Sequence, residues 1–166
     1  MENEWLSEVD ERDVVIGPRA RGDIHRLKLR HRSVHILVFN AQGEVFMQRR
    51  SPGKDINPGL WDTSAAGHVD HGEEYDQSAR RELLEELGID AAGSLERLFK
   101  LPASADTGWE FVQVYRLTHA GPLRLNAEEI TGGHWYAPAA VDAWIGQGGQ
   151  ELTISFQVIW NCFRRL

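Results

Sequence analysis

The chain has 166 residues with 42% hydrophobic side chains, which suits one globular domain spanning residues 1–166 and excludes a disordered chain. Its one cysteine, Cys162, excludes an internal disulfide, and the lack of a visible signal peptide or of an apolar run of about 20 residues predicts a cytoplasmic protein without a membrane partner. The formal net charge of −7 argues against long nucleic acid as a partner, because binding to its phosphates needs a positively charged surface.

Two apolar segments in the first third of the chain predict strands. Residues 1–30 are treated as a short N-terminal addition, to which no element is assigned. Residues 33–39 are apolar and β-branched, as is typical of a buried strand, and residues 44–50 form the next strand after a turn at 40–43. We expect these two strands to form a hairpin.

The rest of the chain alternates between further strands and helices. Residues 51–59 are rich in proline and glycine and predict a loop, which is followed by a strand at 61–68. A helix is predicted over 75–87, with Ala79, Leu83, Leu84 and Leu87 on one side and Gly88 as its C-terminal stop. The remaining predicted elements are strands at 95–101, 109–118 and 134–136, a helix at 139–145 and a C-terminal helix at about 152–165. This mixture indicates an α/β layered domain.

Charge is distributed unevenly along the chain. Residues 19–54 hold nine basic and two acidic side chains, whereas residues 67–90 hold eight acidic and two basic ones. Within the acidic segment, Glu82, Glu85 and Glu86 are spaced i, i+3, i+4 and share one face of the predicted helix, opposite its leucines. Such carboxylates repel one another, but together they offer the hard oxygen ligands that Mg²⁺ prefers. From the spacing alone, an ordinary solvated helix face remains the alternative.

The whole segment 67–89 favours the metal site. Its 23 residues carry, at nine constrained positions and with fixed spacing, Gly67, Glu73, Arg81, Glu82, Leu83, Glu85, Glu86, Gly88 and Ile89. This pattern resembles the motif of the Nudix hydrolase family at every constrained position. The resemblance implies an α/β/α sandwich with a mixed central sheet and a loop-helix-loop catalytic motif.

The resemblance also implies a role for each motif residue. Glu82, Glu85 and Glu86 match the metal-binding glutamates, and one of them, most often the residue matching Glu82, orients or deprotonates the attacking water. The carbonyl oxygen of Ala66 is a further metal ligand. The structural residues are the ion pair that ties the loop to the helix and the glycines that open the loop and end the helix: Glu73, Arg81, Gly67 and Gly88. The implied ion is Mg²⁺, with Mn²⁺ as an alternative.

Residues outside the motif resemble the isopentenyl-diphosphate isomerase branch of the same fold. By this likeness, metal ligands fall at His25, His31, His68 and Glu110, and diphosphate-binding cations at Arg50 and Lys54. The isomerase uses a cysteine just before the motif glycine, where this chain has Ala66. Because all three motif glutamates are kept, hydrolysis is preferred, and whether the three histidines bind a second metal is left open.

We therefore expect a Mg²⁺-dependent hydrolase that cleaves a phosphoanhydride bond in a nucleoside diphosphate linked to another group, or in a nucleoside tri- or diphosphate. The substrate-binding residues are predicted to be Arg50, Lys54, Trp109 and Glu110, with Trp109 placed to stack on a ring. The partner is a small nucleotide or diphosphate, and a homodimer is left open. The alternatives are an isomerase of allylic diphosphates and a non-catalytic nucleotide-binding regulator.

Overall fold

A computed structural model describes residues 4–93 and 95–166, so that residues 1–3 of the predicted N-terminal addition lie outside the described residues. Within these ranges, no helix is both long enough and apolar enough to cross a membrane. The strands and α-helices of the described residues are, in chain order, β1 (Trp5–Val9), β2 (Val15–Ala20), α1 (Arg21–Leu27), β3 (His31–Phe39), β4 (Val45–Arg50), β5 (Trp61–Asp62), β6 (Ala65–His68), α2 (Tyr75–Leu87), β7 (Glu96–Leu101), β8 (Glu110–Thr118), β9 (Ile130–Tyr136), α3 (Pro138–Gly146) and α4 (Ile154–Arg164).

The central sheet is mixed, as predicted, with the strand order β5-β4-β3-β8-β7. β3 and β8 run parallel, and the other pairings in this sheet are antiparallel. The predicted β3–β4 hairpin is paired only beside its turn, through Phe39 and Val45. Beyond that point β6 occupies the edge of β3, and β4 pairs instead with β9 and β5.

Two apolar cores lie on the two faces of the sheet, because successive side chains of a strand point to opposite faces. On β3, Val34 and Ile36 pack in the core that also contains the buried side of α2. Leu37 and Phe39 pack in the second core, which contains residues of α3 and α4. This arrangement gives the α/β/α sandwich that the motif implied.

The N-terminal segment has structure where no element was predicted. β1 and β2 form an antiparallel pair, and α1 follows directly. Leu6 of β1 and Ile24 of α1 are completely buried, so this segment packs against the rest of the described chain. Its sequence carried little signal, because α1 has seven residues and β2 contains Gly17 and Pro18 and has no buried residue.

Two other predictions differ from the structure by more than two residues or by an interruption. The single strand expected at 61–68 is interrupted between β5 and β6, where the Thr63 amide donates to the neighbouring carboxylate of Asp62 at 2.8 Å and the Ser64 hydroxyl donates to the carbonyl of Phe46. β9 begins at residue 130 rather than 134, and it contains Gly133, where a Cβ atom would collide with the ring of Phe46.

Candidate functional site

A cavity of about 730 Å³ brings together most of the predicted site residues. Its walls come from α2, β6, α1, the loop between β4 and β5, and the turn before β8. The predicted residues that line it are Arg50, Lys54, Ala66, Gly67, Arg81, Glu82, Glu85, Glu86, Trp109 and Glu110. The predicted structural residues Glu73 and Gly88 lie outside this lining, Glu73 in the loop before α2 and Gly88 at the C-terminal end of α2.

The helix α2 turns two of its glutamates inward. Glu82 and Glu86 are only 9% and 4% exposed, and they lie on the same face as the buried Leu83 and Leu87. The prediction that the leucines share a face opposite the glutamates was wrong, and Leu84 is 54% exposed. The physical reason is that the positions i, i+3, i+4, i+7 and i+8 from residue 79 form one stripe, and this stripe packs on the sheet.

The buried pair of carboxylates is electrostatically unfavourable without a cation. Burial raises the pKa of both Glu82 and Glu86, and repulsion by Glu86 raises that of Glu82 further. The Oε1 atom of Glu86 accepts hydrogen bonds from Nε2 of Gln48 at 2.9 Å and from the amide of Ala66 at 3.3 Å. A divalent cation favours such a cluster of oxygens and would relieve the repulsion.

Two glycines of the motif are required by geometry. A Cβ atom at Gly67 would collide with the carboxylate of Glu82, so β6 approaches α2 as closely as it does only with glycine there. Gly88 caps α2 in the left-handed conformation, with φ of 70°, where other residues are strained. The close approach at Gly67 forms an oxygen-rich cradle between β6 and α2, and this cradle fits a hard divalent cation.

Arg81 connects the loop before α2 with the glutamates. Its Nε and Nη2 atoms each lie 2.9 Å from a carboxylate oxygen of Glu73, which is the ion pair that the motif implied. Its Nη1 atom donates to Glu82 at 2.8 Å and to Glu85 at 3.4 Å. The side chain of Glu85 is 54% exposed, so Arg81 holds one buried and one exposed carboxylate in place.

The two predicted diphosphate-binding cations line the cavity, but the protein itself contacts both. Nε and Nη2 of Arg50 donate to the carbonyl of Ile56 at 3.1 and 2.9 Å, and its Nη1 atom lies 3.6 Å from Asp62. Lys54 forms an ion pair with Glu129. Arg50 therefore also fastens the loop between β4 and β5 beside the cavity.

Four potential metal ligands converge at the cavity, and three of them, His25, His68 and Glu110, line it directly. His25, His31, His68 and Glu110 come from α1, β3, β6 and β8, and each offers a ligand atom within 4.8 Å of the others. Nε2 of His31 and Nε2 of His68 lie 3.2 and 3.1 Å from the same oxygen of Glu110. The parallel pairing of β3 and β8 places His31 directly opposite Glu110.

The chemistry of this histidine cluster (His25, His31, His68 and Glu110) fits a cation. Nδ1 of His31 lies 2.9 Å from the carbonyl of Leu29, and this contact leaves Nε2 as the ligand atom of the ring beside Glu110. Nε2 of His25 is buried and has no hydrogen-bond partner among the described residues. Burial and the neighbouring His68 lower the pKa of His25 to about 4, which keeps it neutral at pH 7. Nitrogen-rich sets of this kind suit transition metals better than Mg²⁺.

The contacts with His31 and His68 favour the ionised form of Glu110. Burial by itself would raise its pKa, but hydrogen bonds with His31 and His68 outweigh that effect and hold the pKa of Glu110 well below its usual range. The structure therefore places Glu110 with the histidines, and its carboxylate is already engaged by their rings.

Trp109 lines the cavity and has an unusual backbone conformation. Its φ of 65° is left-handed, which is unusual for a bulky residue. The conformation is secured by a hydrogen bond from its amide to Ser104 at 2.7 Å and one from the amide of His31 to its carbonyl at 3.1 Å. Backbone strain that the surroundings hold in place is typical of binding sites.

The family model described as NUDIX domain matches residues 29–154. The chain belongs to the Nudix hydrolase family. It is 33% identical over 163 residues to a Nudix hydrolase of Deinococcus radiodurans, a match that covers 98% of this chain and 95% of that one. It is 39% identical over 136 residues to an uncharacterized Nudix hydrolase of Pseudomonas aeruginosa, covering 81% and 79%. The crystal structure of the DR0079 protein of Deinococcus radiodurans is similar at 34% identity and a TM-score of 0.78, over 87% of this chain and 90% of that chain.

Membership in the Nudix family establishes the general activity as that of a pyrophosphohydrolase, and it confirms the predicted fold. The match begins at residue 29, so α1 precedes it, although Arg21, His25 and Lys28 of this segment line the cavity. The N-terminal segment therefore completes a cavity whose other lining residues come almost entirely from the matched range.

Several residues that line the cavity or contact its glutamates were not predicted. Gln48 could have been found, because it lies two residues before Arg50 on β4 and therefore on the same face of the strand. Arg21 of α1 and Asp62 of β5 carry no comparable signal, since their contacts with Asp55 and Arg50 are made between segments distant in sequence.

Proposed function

We propose that this Nudix hydrolase uses Mg²⁺ to cleave a phosphoanhydride bond in a nucleoside diphosphate linked to another group. Mn²⁺ is the alternative ion, and a nucleoside tri- or diphosphate is the alternative substrate. The observation that carries the proposal is the nearly buried pair of Glu82 and Glu86, which faces the same cavity as Arg50 and Lys54. Like charges are buried together at high cost unless a cation joins them.

The three motif glutamates and the carbonyl of Ala66 would hold the ion. When bound, Mg²⁺ would polarise phosphate oxygens and lower the pKa of a bound water. Arg81 contributes by fixing the direction of Glu82 and Glu85, to which its Nη1 atom donates. Gly67 contributes by letting β6 pass close to Glu82.

The substrate would lie between the glutamates and Trp109. Lys54 would bind a phosphate of the substrate in place of its present ion-pair partner Glu129. Arg50 would add a second positive charge at the cavity wall. Trp109 offers an aromatic face for a base or another ring. The cavity volume of about 730 Å³ lies within the usual range for sites that bind small molecules.

A substrate panel tests this proposal. Nucleoside triphosphates, nucleoside diphosphates, nucleotide sugars, dinucleoside polyphosphates and coenzymes would be incubated with the purified chain and Mg²⁺, and the products identified by mass spectrometry. We expect at least one nucleoside diphosphate derivative to yield a nucleoside monophosphate, and Glu86→Gln to slow this reaction roughly a thousandfold. Folded protein that cleaves no member of the panel with Mg²⁺ or Mn²⁺ would contradict the proposal.

The histidine cluster favours a second metal ion and, with it, a second candidate function. We propose that the histidine cluster binds a transition metal such as Zn²⁺ or Mn²⁺, and that Nε2 of His25, without a hydrogen-bond partner among the described residues, would be one ligand. Elemental analysis of the purified protein should find such a metal in the wild type and lose it in His25→Ala. Equal metal content in both proteins would contradict this assignment.

The second candidate is isomerisation of an allylic diphosphate. It is favoured by the histidine cluster, whereas Ala66 stands where the isomerase branch has its cysteine. Cys162 lies on α4 and lines a separate pocket with Phe99 and Leu101. Incubation with isopentenyl diphosphate separates the two functions, and formation of its isomer without hydrolysis of any nucleotide would replace the first proposal by the second.

A further inference from the structure

Gln48 is a buried polar residue in the middle of the sheet. It is 2% exposed, and its strand is paired on both sides, with Asp62 of β5 and Gly133 of β9 opposite it. Burying an amide costs free energy unless its polar atoms are hydrogen-bonded. The partners of Gln48 therefore indicate why a polar residue is accommodated there.

The amide nitrogen of Gln48 has two acceptors. Nε2 donates to Oε1 of Glu86 at 2.9 Å and to the carbonyl of Ser64 at 3.3 Å. If the amide were reversed, its oxygen would face both acceptors and both hydrogen bonds would be lost. The nitrogen of Gln48 is therefore directed at Glu86 by its surroundings.

One oxygen of Glu86 is thus held by two donors from the protein. The second donor is the amide of Ala66, 3.3 Å from the same Oε1 atom. Rotation of the carboxylate would break both hydrogen bonds. The donors on β4 and β6 therefore fix the orientation of the Glu86 carboxylate. A neutral amide suits this task, because a carboxylate would add repulsion and an ammonium group would compete with a bound cation.

We propose that Gln48 is a positioning residue for the metal site, which acts by fixing the carboxylate of Glu86. This inference rests on the proposed function, in which Glu86 is a ligand of Mg²⁺. Groups that orient metal ligands typically change metal affinity by about 10 to 100-fold when they are removed. Gln48 should therefore affect metal binding more than the maximal rate.

Gln48→Met tests the proposal, because methionine has a similar length and no donor. Binding of Mg²⁺ alone would be measured by isothermal titration calorimetry, and hydrolysis would be measured over a range of Mg²⁺ concentrations. We expect the Kd for Mg²⁺ and the KM for Mg²⁺ to rise about 10 to 100-fold, with a much smaller loss of kcat at saturating Mg²⁺. If Gln48→Met does not fold, Gln48→Asn replaces it, since its shorter side chain withdraws the donor and should weaken binding in the same way.

The matched control is Gln113→Met. Gln113 is a second buried glutamine, 5% exposed, on β8, and its Nε2 atom donates to the carbonyl of Phe99 at 3.0 Å, away from the glutamates. The substitution Gln113→Met should lower the Tm and leave the Kd for Mg²⁺ unchanged. Wild-type Mg²⁺ affinity in Gln48→Met, together with weakened binding in Glu86→Gln, would overturn the role of Gln48 and leave the proposed function standing. Wild-type affinity in Glu86→Gln would overturn the metal site itself.

Discussion

Glu86→Gln should change activity and stability in opposite directions. The substitution keeps the size of the side chain and an oxygen that can accept from Gln48 and Ala66, but it removes the negative charge. At 4% exposure, this charge is almost entirely withdrawn from water and lies beside Glu82. The effects on the reaction and on folding can therefore be measured separately.

The loss of activity follows from the loss of one anionic metal ligand. If this ligand contributes about 4 kcal/mol to the transition state, hydrolysis slows roughly a thousandfold. Stability should change the other way in the absence of metal. Burial raises the pKa of Glu86, so ionisation costs more in the folded protein than in the unfolded chain at pH 7. Removal of such a charge commonly stabilises by about 1 kcal/mol, which corresponds to about 3 °C for a chain of this size.

In the presence of Mg²⁺ the wild type should melt at a higher temperature than Glu86→Gln, which reverses the order expected without metal. A ligand present at 100 times its Kd stabilises the folded state by about 2.7 kcal/mol, and the variant loses most of this gain. Thermal unfolding in EDTA and in saturating Mg²⁺, with kinetics on the same samples, measures all three effects. Glu96→Gln on the exposed face of β7 is the control and should change none of them. The reasoning is refuted if Glu86→Gln melts below the wild type in EDTA or hydrolyses substrate at the wild-type rate. Below pH 4.3 the difference in EDTA should disappear, because the carboxyl group is then protonated in both states (unfolded pKa about 4.3).

Three further experiments test other parts of the structure. Gly67→Ala places a methyl group against the carboxylate of Glu82 and should lower hydrolysis at least tenfold (about 1.4 kcal/mol) with unchanged circular dichroism; full activity would contradict the close approach. Asparagine at position 13 tolerates the local φ of 63°, so Asp13→Asn mainly removes a negative charge. The side chain of Asp13 is 6% exposed and accepts hydrogen bonds from three donors. Urea unfolding at pH 7 should therefore show that the free energy of unfolding falls by about 3 kcal/mol. Burial by itself raises the pKa of Asp13 and the hydrogen bonds outweigh it, so this difference should shrink as the pH falls below about 3.9; a difference that persists at lower pH would speak against the ion pairs. Alanine substitutions of Arg21 and Asp55, alone and together, should show a coupling of about 0.2 to 1 kcal/mol, because Asp55 is 59% exposed. Strictly additive losses would mean that this ion pair does not fasten α1 to the loop after β4.

The sequence predicted the parts of the site that depend on short-range spacing. The motif occupies one contiguous segment, so the family resemblance could predict roles for Gly67, Arg81 and Glu82 without the tertiary structure. The helix α2 was predicted with its observed bounds, because its apolar positions recur with the helical period and Gly88 ends it. The strands β3 and β4 were found to within two residues for the same local reason.

Contacts between distant segments were not predictable in this way. The sequence of α2 does not show whether the helix face with Glu82 and Glu86 is exposed to solvent or packs on the sheet. Gln48 meets Glu86 across 38 positions of the chain, and Arg21 meets Asp55 across 34. The register of β4 against its neighbours and the packing of α1 decide these contacts.

The histidine cluster shows the same division. The sequence by itself contained His25, His31, His68 and Glu110, and a family resemblance suggested their use. Only the tertiary structure decided that their ligand atoms converge, because this depends on the parallel pairing of β3 with β8, the antiparallel pairing of β3 with β6, and the docking of α1. Local spacing is determined by helix and strand geometry, whereas convergence of side chains from four elements is determined by sheet register and packing, which no short segment of sequence encodes.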